Sequence, residues 1–322
     1  MLQELYPLTF APIPEPSPWG GSGLLAEQYP EICGSDSFIG NCWEIVDSDE
    51  RQSVVDDGPL AGATLRQLVD DDPGSLIGGR YDGSSPFPLQ VKFVDTAQQM
   101  PVTVHPVSPA EAANMIMWYV VAARENADLC VGLQPRFAQQ QFLGRVDAPN
   151  FDEIKQIFPA HPGDAFFVIP GRIHALGAGI LTLAIQCNDA ETLTIRKADG
   201  SPRDEPLDRQ TLLSSIDFQN RTISRIRGES SDVVRNWKVP LITHCPAFAV
   251  DEVRLVEEMH DRADGTTFHL LTAIDNPIAI SCANGSSCEL AAGRTALIPA
   301  ALGYYSIRPV TPPSRLLRTV AK

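Results

Sequence analysis

The run Pro162-Gly163-Asp164-Ala165-Phe166-Phe167-Val168-Ile169-Pro170-Gly171-Arg172-Ile173-His174-Ala175-Leu176-Gly177 decides how this chain is read. Pro-Gly-Asp and Pro-Gly are turn signals, and residues 165–169 between them make a short apolar run of strand length. The stretch is therefore a turn, a buried strand, a second turn, and a strand that carries a histidine. A second segment, Val102-Thr103-Val104-His105-Pro106, has a related form, with Thr103 and His105 on one side of a strand. What these two histidines hold is the functional question.

A chain of 322 residues is long enough for two domains, or for one large β domain with a satellite. Hydrophobic content of 43% and charged content of 20% describe an ordinary globular protein with a sizeable core, and 27 prolines with 23 glycines favour a turn-rich β fold. A formal net charge of -15 argues against nucleic acid and anionic membranes as partners. An anionic substrate would need a local basic pocket set against that field. The seven cysteines include no Cys-x-x-Cys pair, the N-terminus has no basic region followed by an apolar run, and no apolar stretch approaches membrane-spanning length. These features predict reduced thiols and a cytoplasmic location, with Cys282 and Cys288 read as free thiols flanking a Gly-Ser loop.

Along the chain, residues 1–30 read as irregular because Pro12, Pro14, Pro16 and Pro18 break any helix. Strand-like runs follow at 42–46, 89–94, 102–105, 117–122, 165–169, 173–176 and 180–185. A capping box at Ser108-Pro109-Ala110-Glu111 predicts a short helix, the spacing of Ile154, Ile157 and Phe158 predicts another over 152–158, and a third is expected near 209–216. From Leu241 the chain is strand-like again, at 247–250, 268–274, 277–281, 295–298 and 304–307. Residues 293–299 repeat the strand ending in Ile-Pro seen at 163–170, a faint internal repeat in which Tyr304 and Tyr305 stand where the first copy has His174. The expected fold is mainly β: two jelly-roll lobes with a small helical insert. The first lobe would run over 1–200 and carry the site, residues 201–240 would connect, and 241–322 would form the smaller second lobe.

A histidine displayed this way at the mouth of a small β-barrel resembles the metal ligand of the cupin fold. The chain further resembles the class I mannose-6-phosphate isomerases in their short bacterial form. The resemblance is carried by Trp19-Gly20-Gly21, Gly40-Asn41-Cys42-Trp43-Glu44-Ile45, Pro59-Leu60-Ala61-Gly62 with Thr64-Leu65, and Phe87-Pro88-Leu89-Gln90-Val91-Lys92-Phe93-Val94-Asp95. Val104-His105-Pro106, Trp118-Tyr119 and Pro170-Gly171-x-x-His174-Ala175-Leu176 follow in the family's order, and the similarity extends to residues 293–299.

The resemblance implies one divalent ion, usually zinc, held by glutamine, histidine, glutamate and histidine. His105 and His174 fill both histidine positions, Thr103 stands at the glutamine position and Ile116 at the glutamate position. Thr103 is a weak neutral donor and Ile116 cannot bind, so the only anionic ligand is lost and a weak metal site is expected. Glu111 is the substitute carboxylate if its loop refolds. The family lysine falls on Asn114 and a later family glutamate on Ala184. The family's catalytic arginine falls on Thr194 in an ungapped alignment and on Arg196 with a two-residue shift, which we prefer because it also aligns Asp199.

Aldose–ketose isomerisation moves a proton between C2 and C1 through an enediol. It needs a polarised carbonyl oxygen, an acid/base near neutral pKa and a cation for the phosphate. The residues expected to serve are Arg196 and Lys92 in catalysis, Arg172 and Thr103 in substrate binding, and His105 and His174 at the metal. The ligand implied is a sugar phosphate or sugar. The expected function is a mannose-6-phosphate isomerase-like enzyme of weak or altered activity. Its alternative is a non-catalytic or redirected bicupin that binds a sugar or sugar phosphate. An iron oxidoreductase ranks last, because that chemistry adds a carboxylate or third histidine to the pair.

Overall fold

The computed structural model describes residues 5–33, 38–79, 81, 85–107, 114–135, 137, 139–188, 192–205, 208–219, 225–227 and 235–322. The chain divides into two compact units, one of residues 14–42 and 92–227 and one of residues 1–13, 43–91 and 228–322. This differs from the expected division near residues 200 and 241, because each unit is assembled from segments far apart in the chain. Strand Leu8–Thr9, for instance, pairs with Thr295–Ile298.

In the unit holding both histidines, a five-stranded antiparallel sheet runs in the order Leu193–Arg196, Val102–Val104, Ile173–Leu176, Asp128–Leu133, Lys155–Pro159. A seven-stranded sheet runs Arg225–Arg227, Asp164–Val168, Ile116–Ala123, Ile180–Cys187, Leu89–Thr96, Ile39–Ile45, Ile13–Pro16. Alternation decides what each strand buries. Val131 and Leu176 of the five-stranded sheet meet Ile116, Trp118, Phe166 and Val168 of the seven-stranded sheet in one apolar core. Val102, Val104, Ile173, Ala175 and Ile195 point to the other face, where they pack on Phe142, Phe151 and Leu212. Ile173–Leu176 is buried along its whole length because each of its faces meets a core.

The second unit repeats the architecture. A six-stranded antiparallel sheet, Leu8–Thr9, Thr295–Ile298, His269–Ala273, Ser314–Ala321, Phe248–Leu255, Trp237–Ile242, faces a four-stranded one, Met259–Ala263, Gly303–Pro309, Ile278–Cys282, Ser287–Leu290. Leu271, Ala296, Leu316, Ile280, Tyr305 and Ile307 are among the residues that fill the space between them. The mainly β, two-jelly-roll expectation is met.

Local expectations differ at three places. Residues 152–158 are not one helix: Phe151–Ile154 is a single 3-10 turn and Lys155–Pro159 is an edge strand paired with Asp128–Leu133. Three apolar residues at helical spacing also satisfy a turn followed by a strand, and the open sheet edge selects the latter. The N-terminal segment is not wholly irregular, since Leu24–Gln28 and Pro30–Cys33 are short helices. Pro14 and Pro16 sit in Ile13–Pro16, the edge strand of its sheet, where a missing N–H is tolerated. The helix Arg209–Ser215 forms as expected, capped by the Asp208 carboxylate. The helix expected from Ser108 lies outside the described residues. Cys42, Cys130, Cys187, Cys245, Cys282 and Cys288 are free thiols, and no helix among the described residues is long and apolar enough to cross a membrane.

Candidate functional site between the sheets of the first jelly roll

Antiparallel pairing sets His174 directly opposite Thr103, so both side chains leave the five-stranded sheet on its inner side. The Pro170-Gly171 turn brings His105 to the same place, because the Gly171 N–H donates to the His105 carbonyl at 2.7 Å. Gly171 adopts φ 79°, and a Cβ there would lie 2.7 Å from the Asp217 backbone nitrogen, so the position demands glycine. The rings of His105 and His174 stack with centroids 4.9 Å apart and planes 15° apart. Trp118 meets His174 edge-on at 5.3 Å.

The hydrogen bonds fix the state of His174. Its Nδ1 lies 2.9 Å from the Arg172 backbone oxygen, which only accepts, so Nδ1 carries the proton. Nε2 then presents a lone pair, and Thr103 Oγ1 donates to it at 3.1 Å. Burial, then the neighbouring His105, pushes the His174 pKa down to about 3, so the imidazole is neutral at physiological pH. Thr192 Oγ1 approaches His105 Nδ1 at 3.4 Å.

A tetrahedral zinc site takes three or four protein donors. Among the described residues no group of three or more His, Cys, Asp or Glu is placed to hold a metal. Ile116 is buried in the core with Trp118, and the Thr103 hydroxyl is engaged with His174. Two imidazoles do not fit a divalent ion by themselves. Glu111 lies outside the described residues.

The other expected residues separate. Lys92 stands two residues before Val94, a residue of the inner core, and alternation puts it on that inner face. Arg172 is buried, its stem lies against Gly132, and its carbonyl orients His174. Burial pushes its guanidinium pKa down, while Asp217 opposes the shift. Arg196 lies apart from the two histidines. It pairs with Val102 across a bulge, Nη1 donates to the Val146 carbonyl at 3.0 Å, Nη2 donates to the Gly200 carbonyl, and the guanidinium lies 5.3 Å from the Phe151 ring centroid. Val102, Val146 and Phe151 belong to the core on the opposite face of the sheet from His174. Thr194, the other alignment, is the residue paired with Thr103. The bulge between Thr194 and Arg196 is what sends them to different faces.

Three contributors escaped the sequence reading. Trp118, seen in the sequence only as part of a family motif, walls the His174 imidazole. Asn114, read there as a lost lysine, adopts φ 61° and donates from Nδ2 to the Pro106 carbonyl at 3.1 Å, holding the segment after His105. Arg203, half-buried, donates from Nη1 to the Thr194 carbonyl at 2.8 Å. It reaches strand Leu193–Arg196, the neighbour of Val102–Val104, through a loop, and no local pattern announces that.

No family model matches the chain. Among curated proteins it is 30% identical over 201 residues to the probable mannose-6-phosphate isomerase GmuF of Bacillus subtilis, a match covering 60% of this chain and 62% of that one. The matched stretch is thus under two thirds of that relative's length. Among solved structures, the mannose 6-phosphate isomerase of Bacillus subtilis superposes with a TM-score of 0.79 at 20% identity, covering 97% of this chain and 99% of the other. The Salmonella typhimurium enzyme, solved with fructose 6-phosphate and zinc, gives a TM-score of 0.74 at 12% identity, covering 98% and 99%. The solved structures share the fold from end to end, and the curated relative shares sequence over more than half of this chain.

Proposed function

We propose that this protein is an aldose–ketose isomerase of sugar phosphates, interconverting mannose 6-phosphate and fructose 6-phosphate at the His105–His174 site with weakened or altered activity. The observation that carries the reading is the pair of stacked imidazoles turned into the interior of a jelly roll whose fold matches solved mannose 6-phosphate isomerases. Lys92, on the inner face, supplies a cation toward the carbonyl oxygen. Thr103 meets a sugar hydroxyl, Arg203 at the rim takes the phosphate, and Arg172 positions His174 through its carbonyl. Both nitrogens of His174 are engaged and its ring is neutral, so the proton passing between C2 and C1 through the enediol is assigned to His105. Zinc, which the family resemblance implies, would rest on His105 and His174 alone among the described donors, and the chain's own side chains carry each of these roles. Free thiols and the acidic surface fit a cytoplasmic enzyme.

That no carboxylate among the described residues joins the two imidazoles favours one second reading, a sugar-phosphate-binding protein without turnover. Conversion of mannose 6-phosphate, followed by coupled detection of fructose 6-phosphate with parallel calorimetry, separates the two. Slow turnover that Lys92→Met abolishes is the expected result. Saturable binding without turnover selects the second reading, and neither binding nor turnover removes both.

A further inference from the structure

We propose that the Thr103 hydroxyl takes the place on His174 Nε2 that a metal ion would need, so that this site holds its sugar ligand directly through the Thr103 oxygen and without zinc. Three contacts support this. The Arg172 carbonyl accepts from Nδ1 and so fixes the tautomer whose Nε2 faces Thr103. Thr103 Oγ1 sits 3.1 Å from that nitrogen, while its other acceptor, the His174 backbone oxygen, is poorer at 3.4 Å. With its proton given to His174, the Thr103 oxygen keeps lone pairs for an incoming hydroxyl.

The surroundings disfavour a cation. A divalent ion on Nε2 would displace the hydroxyl proton and sit near the buried Trp118, which meets the His174 ring edge-on. No carboxylate among the described residues joins the two imidazoles to balance its charge. A neutral hydroxyl donor meets no such penalty. The ligand class is therefore the hydroxyl-bearing edge of a sugar. That ligand rests on the sugar-phosphate reading above, whereas the loss of metal affinity does not.

The test uses the full chain. Zinc is titrated calorimetrically, with metal analysis after gel filtration, while the imidazole nitrogen resonances of His174 are followed by NMR. The expected result is substoichiometric zinc, with the Nε2 resonance unmoved. Thr103→Val should leave zinc uptake unchanged and weaken mannose 6-phosphate binding by about tenfold, the loss of one hydrogen bond. Thr103→Gln with Ile116→Glu should gain stoichiometric zinc. If that double variant fails to fold, the wild-type titration still decides. One zinc per chain with a displaced Nε2 resonance overturns the inference. So does zinc that is bound by the wild type and lost in Glu111→Gln. Zinc uptake together with mannose 6-phosphate turnover would overturn this inference and leave the isomerase reading standing. No zinc with no mannose 6-phosphate binding would remove the sugar-phosphate reading and leave the hydroxyl–imidazole assignment intact.

Discussion

The imidazoles of His105 and His174 lie nearly parallel, 4.9 Å between centroids, although His174 sits on strand Ile173–Leu176 and His105 just past strand Val102–Val104. Two backbone facts hold them there: the opposition of Thr103 and His174, and the 2.7 Å bond from the Gly171 N–H to the His105 carbonyl. The site is therefore built by the sheet and its turn, and side-chain substitution within it should alter chemistry before it alters fold.

Arg203 is the rim cation assigned to phosphate. Its Nη1 contact with the Thr194 carbonyl puts it one strand away from Thr103. Arg203→Ala is expected to raise KM for mannose 6-phosphate roughly ten- to a hundredfold, the range for a lost charged hydrogen bond, with a smaller change in kcat. Steady-state kinetics checks this, and an unchanged KM would withdraw the assignment.

Arg196 should behave oppositely. It is buried and holds the Val146 and Gly200 carbonyls over the Phe151 ring. Arg196→Ala is expected to destabilise the protein by about 2 kcal/mol or more while leaving mannose 6-phosphate affinity near wild type. Denaturant unfolding beside a binding isotherm gives both numbers.

Glu44 gives a pH dependence. It is fully buried, its Oε2 accepts from Arg294 Nε at 3.2 Å and from the Thr295 N–H at 2.7 Å, and its Oε1 has no partner among the described residues. Burial pushes its pKa from 4.5 up to about 7 against the pull of Arg294. The folded state thus binds the proton more tightly than the unfolded chain. Its contribution is complete below about pH 4.5 and is lost as pH rises through 7. Glu44→Gln should remove that slope, worth about 3 kcal/mol at most. Urea midpoints of both proteins across this interval would show it; parallel curves would contradict it.

Tyr305 closes a relay inside the second jelly roll. Its hydroxyl donates to Asp261 at 3.0 Å and accepts from His269 Nδ1 at 2.7 Å, while Arg318 donates to His269 Nε2 at 3.3 Å. Burial, then Arg318, pushes the His269 pKa down to about 4, consistent with the neutral ring this chain of bonds requires. Tyr305→Phe leaves a buried imidazole N–H without its acceptor and should cost about 1–3 kcal/mol. Thermal unfolding measures it, and an unchanged Tm would show the relay to be structurally idle.

Much of this was legible in one dimension. The Pro-Gly turns, the apolar runs between them and the alternation around Thr103, His105 and His174 set the strands and put both histidines on inward faces, because a period of two has only two outcomes.

Tertiary structure decided the rest, for reasons no local window contains. A single bulge between Thr194 and Arg196 reversed the face of the arginine that alignment favoured. Closure of the sheet edge turned residues 155–159 from helix to strand. Long-range pairing sent residues 43–91 to the unit formed with 228–322. Side-chain chemistry was fixed by sequence; which hydroxyl met which imidazole depended on strand register, a property of contacts between distant segments.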